Sequence, residues 1–381
     1  MRAVAEIPAE EVVVDTQQQP VAAPDAGIAR RQARLVRLLE RMQRARARKG
    51  RPAPTVLVES PRWRFAWGES ERPMHAASCG KLVTAALIGQ LVDEGRLGFE
   101  TAIGSLLPDA DTRGLRLPGG IDAAREVTVE HLLANRSGLP DYFEASAVSA
   151  ASFRSAVAHP ERRFSPADLL AAAATQRPVG RPGQRFHYGD TNWVLLGRIV
   201  EEASGDAFAD RARTRVFDPL GMASASTPYD ASRIADDLSG LDVAPFWILG
   251  REMSRAHAVS LDWAGGNVVA TPADWARFLR GLFGGELLAP ATLAQLTEAR
   301  SRFRFGIDYG AGTQTLRWRT LAPFQRAPRP DPVGHLGFWA AHTFHYPGQR
   351  AQVVLNFHDH RSMQSSFLVH GAIARILASL D

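Results

Sequence analysis

The chain has 381 residues, 45% of them hydrophobic and 22% charged, a balance that supplies a large buried core and excludes a disordered or membrane-embedded protein. Its formal charge of +5 comes almost wholly from arginine, since only two of the 45 basic residues, Lys49 and Lys81, are lysine. The single cysteine, Cys79, excludes an intrachain disulfide and any multi-cysteine metal site.

Residues 1–27 are rich in Pro, Ala, Gln and acid and read as a flexible leader. Glu6, Glu10, Glu11 and Asp15 interrupt any apolar core of a signal peptide, and no apolar run reaches the length of a bilayer span. A cytoplasmic protein is expected. From Ile28 to Lys49, the apolar positions Ile28, Leu35, Leu38, Leu39 and Met42 mark an amphipathic helix with an arginine-rich outer face. The basic run Arg44–Arg51 at its end reads as a solvated helix terminus rather than a nucleic-acid site. Strands follow at Thr55–Val58 and Trp63–Trp67, joined through Ser60, Pro61 and Arg62.

A helix is predicted from Ser78 to Asp93, with Leu82, Val83, Leu87, Ile88, Leu91 and Val92 as its buried stripe and Gly95 beyond its end. The middle of the chain is helix and loop. Ser165-Pro166-Ala167-Asp168 and Thr271-Pro272-Ala273-Asp274 each give a cap, a proline at the first helical position and an acid at the third. Another helix starts at Thr191 and stops at Gly205. Strands are then expected at Thr315–Trp318, Val333–Phe338, Ala341–Tyr346 and Val353–Phe357, before a last helix from Met363 to Leu380. The fold class is therefore α/β (α+β): a mixed antiparallel sheet flanked by N- and C-terminal helices, with an inserted all-helical lobe. The sheet lobe takes about residues 28–95 and 260–381, and the helical lobe about 96–259.

Ser78 opens a helix, where the partial positive charge of the N-terminus favours a developing alkoxide. Lys81 follows at i+3 on the same face. Unlike arginine, a desolvated lysine can give up its proton, so Lys81 is expected to serve as a neutral base for the Ser78 hydroxyl. Serine at this place more often only caps its helix. Tyr188 is the one tyrosine of five with Asp or Asn two places on, and Asp190 stands just before the Thr191 helix, where it would either cap it or act in a site. On the strand Gly334-His335-Leu336-Gly337, glycine at 337 leaves room for a substrate backbone, and the Phe338 amide with that of Ser78 would form an oxyanion hole. Cys79 lacks a base at helical spacing and is expected to pack inward.

Ser78-x-x-Lys81, then Tyr188-x-Asp190, then His335-x-Gly337, in that order, resembles the three-motif pattern of the serine β-lactamase and penicillin-recognising hydrolase superfamily. The resemblance is to its class C-like branch, with esterases and D-amino-acid peptidases. It extends over about residues 50–375, through Val129–Leu133, Ser137–Tyr142, Tyr188–Gly197, Phe217–Met222 and Ala264–Asn267. It implies a β-lactamase/transpeptidase-like fold and an acyl-enzyme mechanism without cofactor or metal. Ser78 would attack, Lys81 and Tyr188 would share proton transfer, Asp190 would orient Lys81, and His335 would steer substrate in place of the usual lysine.

His335 and Asp190 depart from the lysine and asparagine of efficient class C β-lactamases, and Phe338 and Trp339 add bulk. These departures favour a small ester or amide as substrate. The alternatives are a β-lactamase or D-amino-acid peptidase, an acyltransferase or peptide cyclase, and an inactive binding protein. Among His342, His345, His358 and His360 no carboxylate cluster completes a metal site. Trp263, Trp339 and Tyr142 are candidates for an acyl pocket, with core packing the plainer assignment, as it is for Trp63 and Trp67.

Overall fold

The computed structural model describes residues 26–144, 151–323 and 329–380. Nearly all of the leader, residues 1–25, lies outside the described residues. The described residues begin with helix α1 (Ala26–Ala47), followed by strands β1 (Thr55–Glu59) and β2 (Arg64–Trp67) and helix α2 (Lys81–Asp93). Helix α3 (Thr191–Ser204) is the centre of the helical part, and α4 (Pro272–Gly284) returns the chain to the sheet. Then come β3 (Ser301–Arg304), β4 (Ile307–Tyr309), β5 (Gln314–Leu316), β6 (Val333–Gly337), β7 (Ala341–Tyr346), β8 (Ala351–Asn356) and helix α5 (Met363–Leu377).

The two ends of the chain share one antiparallel sheet of eight strands in the order β2–β1–β8–β7–β6–β5–β4–β3. The join is β1 on β8, where Val56 faces Leu355 and Val58 faces Val353. Strand alternation gives the sheet two apolar faces. Val56, Val58, Val353, Leu355 and Phe344 pack with Leu35 and Leu39 of α1 and Val369 and Ile373 of α5. Leu57 and Val354 point the other way, into a larger core shared with α2, α3 and α4.

The strands at β1, β2, β5, β6, β7 and β8 fall within a few residues of their sequence expectations, and the expected strand at Thr315–Trp318 ends early because Trp318 starts a short helix. Strands β3 and β4 had no counterpart in the sequence reading. The stripe expected on α2 is also too narrow: every residue from Lys81 to Leu91 is buried. A helix apolar all round belongs in an interior, and α2 lies between the sheet and the helical part. Ser165 and Thr271 cap their helices as expected, each accepting the backbone N–H of the acid at N3.

Candidate active site

Ser78 sits in a single 3-10 turn, Ala77–Gly80, that runs directly into α2. Ala77 has φ of 49°, a left-handed conformation that costs a residue with a side chain, and its N–H donates to His75 Nδ1 at 2.9 Å. Trp339 Nε1 donates to the same nitrogen at 3.0 Å, and Asn356 Nδ2 donates to the His75 carbonyl at 3.0 Å. Through His75 the turn is thus tied to Trp339 and to Asn356 of β8, with Ser78 half-exposed at its crest.

One turn on, Lys81 is completely buried. Its Nζ donates to Ser78 Oγ at 3.2 Å, to Asp190 Oδ1 at 2.5 Å and to the Gly265 carbonyl at 2.8 Å. Three acceptors saturate the three N–H donors of an ammonium. Burial works to lower the Lys81 pKa, yet Asp190 and Asp262 outweigh it and hold the amine above its ordinary value. The expectation of a resting neutral amine is therefore corrected: Lys81 is charged because two carboxyl groups share its pocket. Asp190 stands at the N-cap of α3 but makes no side-chain cap bond, so its carboxylate is directed to Lys81, and its own N–H donates to Asp141 Oδ1 at 2.7 Å.

Tyr188 lines the same cavity as Ser78 and Asp190, with Lys81 Nζ 5.2 Å from its ring centroid. Burial and the nearby Asp190 carboxylate push its phenol well above 10, while a side-chain hydrogen bond with Ser78 works the other way. The serine, amine and phenol of the first two motifs are brought together. Gly337 and Phe338 line the cavity too. Among the described residues, neither the Ser78 nor the Phe338 amide donates to a turn, loop or side-chain acceptor.

The third motif differs in detail from expectation. A Cβ on Gly337 would lie 2.1 Å from the Ala76 carbonyl oxygen, so this glycine makes room for the serine turn. His335 has no exposed surface; Nδ1 meets the Leu336 carbonyl at 2.6 Å and Nε2 the Tyr309 hydroxyl at 3.4 Å. Burial and the Lys81 charge push its pKa down to about 3, so it is a neutral ring beneath the site, out of reach of substrate. Its carbonyl accepts from Cys79 Sγ at 3.3 Å. Burial pushes that thiol up to about 12, as an inward-packed cysteine requires.

The sequence reading missed Gly265 and Asp262. A Cβ on Gly265 would stand 3.0 Å from Asp190 Oδ1, 3.3 Å from Lys81 Nζ and 3.4 Å from Asp262 Oδ1. A side chain here would crowd all three groups where they converge. Burial pushes Asp262 up to about 8, against the pull of Lys81. The Ala264–Asn267 segment carried the signal, as a glycine pair that begins three residues after Asp262, without revealing which groups meet there.

A protein-family model described as Beta-lactamase matches residues 69–378. The chain belongs to the beta-lactamase family. Penicillin-binding protein 4 of Amycolatopsis lactamdurans is 30% identical over 213 residues, covering 54% of this chain and 49% of that protein. Lovastatin esterase of Penicillium rubens is 26% identical over 284 residues, covering 70% of this chain and 68% of the esterase. This member thus spans about half the length of the Amycolatopsis protein. The crystal structure of a D-stereospecific amidohydrolase from Streptomyces sp. has the same fold, with a TM-score of 0.71 at 22% identity over 88% of this chain and 95% of that one.

The other aromatic and histidine candidates go elsewhere in this beta-lactamase-family fold. Trp263, Trp339 and Tyr142 are buried core, and the Tyr142 hydroxyl donates to the Leu261 carbonyl at 2.6 Å. His342 bonds His370 at 2.9 Å and Ser366 at 2.8 Å, and His358 bonds Thr55 at 3.0 Å. Among the described residues, no group of three or more His, Cys, Asp or Glu is placed to hold a metal, and no helix is long and apolar enough to cross a membrane.

Proposed function

We propose that this protein is a serine hydrolase that cleaves a small carboxylic ester or amide through an acyl-Ser78 intermediate. The observation that carries the reading is a buried lysine fixed by Asp190 and Gly265 with its remaining donor on a cavity-facing serine hydroxyl. Any buried ammonium needs acceptors, but packing alone does not require that one of them be a serine hydroxyl facing a cavity.

The charge state sets the order of proton movements. Lys81 rests as an ammonium, so it first passes a proton along its 2.5 Å contact to Asp190 Oδ1. The resulting amine takes the Ser78 proton as Oγ bonds to the substrate carbonyl carbon. The negative charge on the carbonyl oxygen is met by the free amides of Ser78 and Phe338. The bond to the leaving group then breaks, and Tyr188 supplies the proton that group takes, recovering one from Lys81. Water enters by the reverse route, its proton returns to the Ser78 oxygen, and Asp190 gives its proton back to Lys81 to restore the resting ammonium. An aspartate at 190 suits this path, since an asparagine could orient Lys81 but could not hold its proton.

A panel of 4-nitrophenyl esters and 4-nitroanilides tests the reading. Turnover should exceed the buffer rate for at least one class and vanish in Ser78→Ala. A panel without turnover, or with turnover intact in Ser78→Ala, rules it out.

A further inference from the structure

The cavity in front of Ser78 has a volume of about 550 Å³ and an unusual lining. Two separate groups of rings form its walls. In one, Phe143 meets Phe338 edge-on at 5.7 Å, and Phe338 stacks on the His360 imidazole at 5.4 Å. In the other, Phe186 meets Phe303 edge-on at 6.1 Å, and Tyr188 lies 5.3 Å from Phe303. Among the described residues no ring contact joins the two groups, so the serine has an aromatic surface available for each side of a scissile bond.

The charges of the lining are one-sided. Asp141 and Glu144 bring carboxyl groups to the cavity, Asp190 there being matched by Lys81, and Arg304 is the only arginine or lysine among its described lining residues. The Arg304 guanidinium is on an exposed side chain and lies over the Phe303 ring, 5.2 Å from its centroid. The Lys81 ammonium is committed to Asp190. His335, which occupies the third-motif position, is sealed beneath the floor. Both imidazoles of the lining, His187 and His360, are held below their ordinary pKa, chiefly by burial, and are neutral at pH 7. A substrate carboxylate in this cavity would lose water without gaining a buried cation, and would face carboxylates instead.

We infer that the cavity selects uncharged aromatic acyl compounds, one ring group for the acyl part and one for the leaving group, and turns away substrates with a carboxylate near the scissile bond. This deepens the acyl-Ser78 reading and rests on it. The preference comes from two different sources, ring contacts and the sign of the lining, so each can be altered alone.

The test uses two matched pairs on the full chain, with uncatalysed rates subtracted. For charge, 4-nitrophenyl pentanoate is set against 4-nitrophenyl hydrogen glutarate. For ring recognition, 4-nitrophenyl phenylacetate is set against the cyclohexylacetate. The kcat/KM ratio should favour the neutral ester by at least about tenfold, and the phenyl ester by about three- to tenfold. Asp141→Asn, which keeps an acceptor for the Asp190 N–H, should narrow the charge ratio, and Phe303→Ala or Phe338→Ala should narrow the ring ratio. Ratios near one, or a preference for the glutarate, overturn the inference. Fluorophosphonate labelling of Ser78 separates the two readings: labelled enzyme with flat ratios refutes only the selectivity, and unlabelled enzyme refutes both.

Discussion

Replacing Lys81 by methionine removes one partner of an ion pair whose side chains are 0% and 6% exposed. Asp190 then keeps its buried position without the ammonium that met it at 2.5 Å. Breaking a buried pair by removing one partner costs about 3–5 kcal/mol, because a charge is left unmatched in a poor solvent. With an unfolding entropy of about 2.1 cal/mol/K per residue, the 381-residue chain melts with about 0.8 kcal/mol/K, so Tm should fall by about 4–6 °C. The sign of the pH dependence follows from the lone carboxyl: protonating it removes the unmatched charge, so the deficit measured by calorimetry at pH 8 should shrink as pH falls. Lys81→Met combined with Asp190→Leu should recover most of the lost stability and none of the activity, since replacing a whole buried pair by apolar groups is often neutral. A Lys81→Met protein that melts like the parent at pH 8, or a double variant no more stable than the single, would refute the buried-pair account.

Gly265→Ala places a methyl 3.0 Å from Asp190 Oδ1 and 3.3 Å from Lys81 Nζ, and should lower kcat by about tenfold or more while circular dichroism stays native. Burial holds His75, His335, His358 and His370 down near 3, below the unfolded value of 6.5, so their contribution to stability is complete above pH 6.5 and is lost as pH falls toward 3. Asp262 acts in the opposite sense, since its pKa of about 8 is above the unfolded 3.8 and it costs stability as pH rises between them. Asp262→Asn should flatten the Tm profile between pH 4 and 8, read by calorimetry. Cys79, pushed up to about 12, should resist iodoacetamide in the native protein and react in guanidinium, as mass spectrometry of the intact chain would show.

The outline of the fold was legible because both chain ends carry clean periodicity: β7 falls on its expected bounds, and β1 and β8 are strongly apolar. Strands β3 and β4 were hidden by their sequence. Ser301–Arg304 alternates arginine with half-buried positions at a sheet edge, and Ile307–Tyr309 is only three residues long. In the site, the motif spacings located Ser78, Lys81, Tyr188 and Asp190. Charge states were illegible, because Lys81 is held up against burial by Asp190 and Asp262 together, and Asp262 is 181 residues away in sequence with a role that no spacing announces. The same holds for His335, whose burial depends on Tyr309 and the sheet around it. Gly337 was noticed for the right property, its missing side chain, but the group that needs the space is the Ala76 carbonyl.

The most direct measurement is the mass of the intact protein after brief exposure to a fluorophosphonate probe, followed by peptide mapping. One adduct is expected, on the peptide carrying Ser78, absent in Ser78→Ala and formed far more slowly in Lys81→Arg. An adduct on another residue, or labelling at the parent rate once Ser78 is gone, would contradict the assignment of the nucleophile.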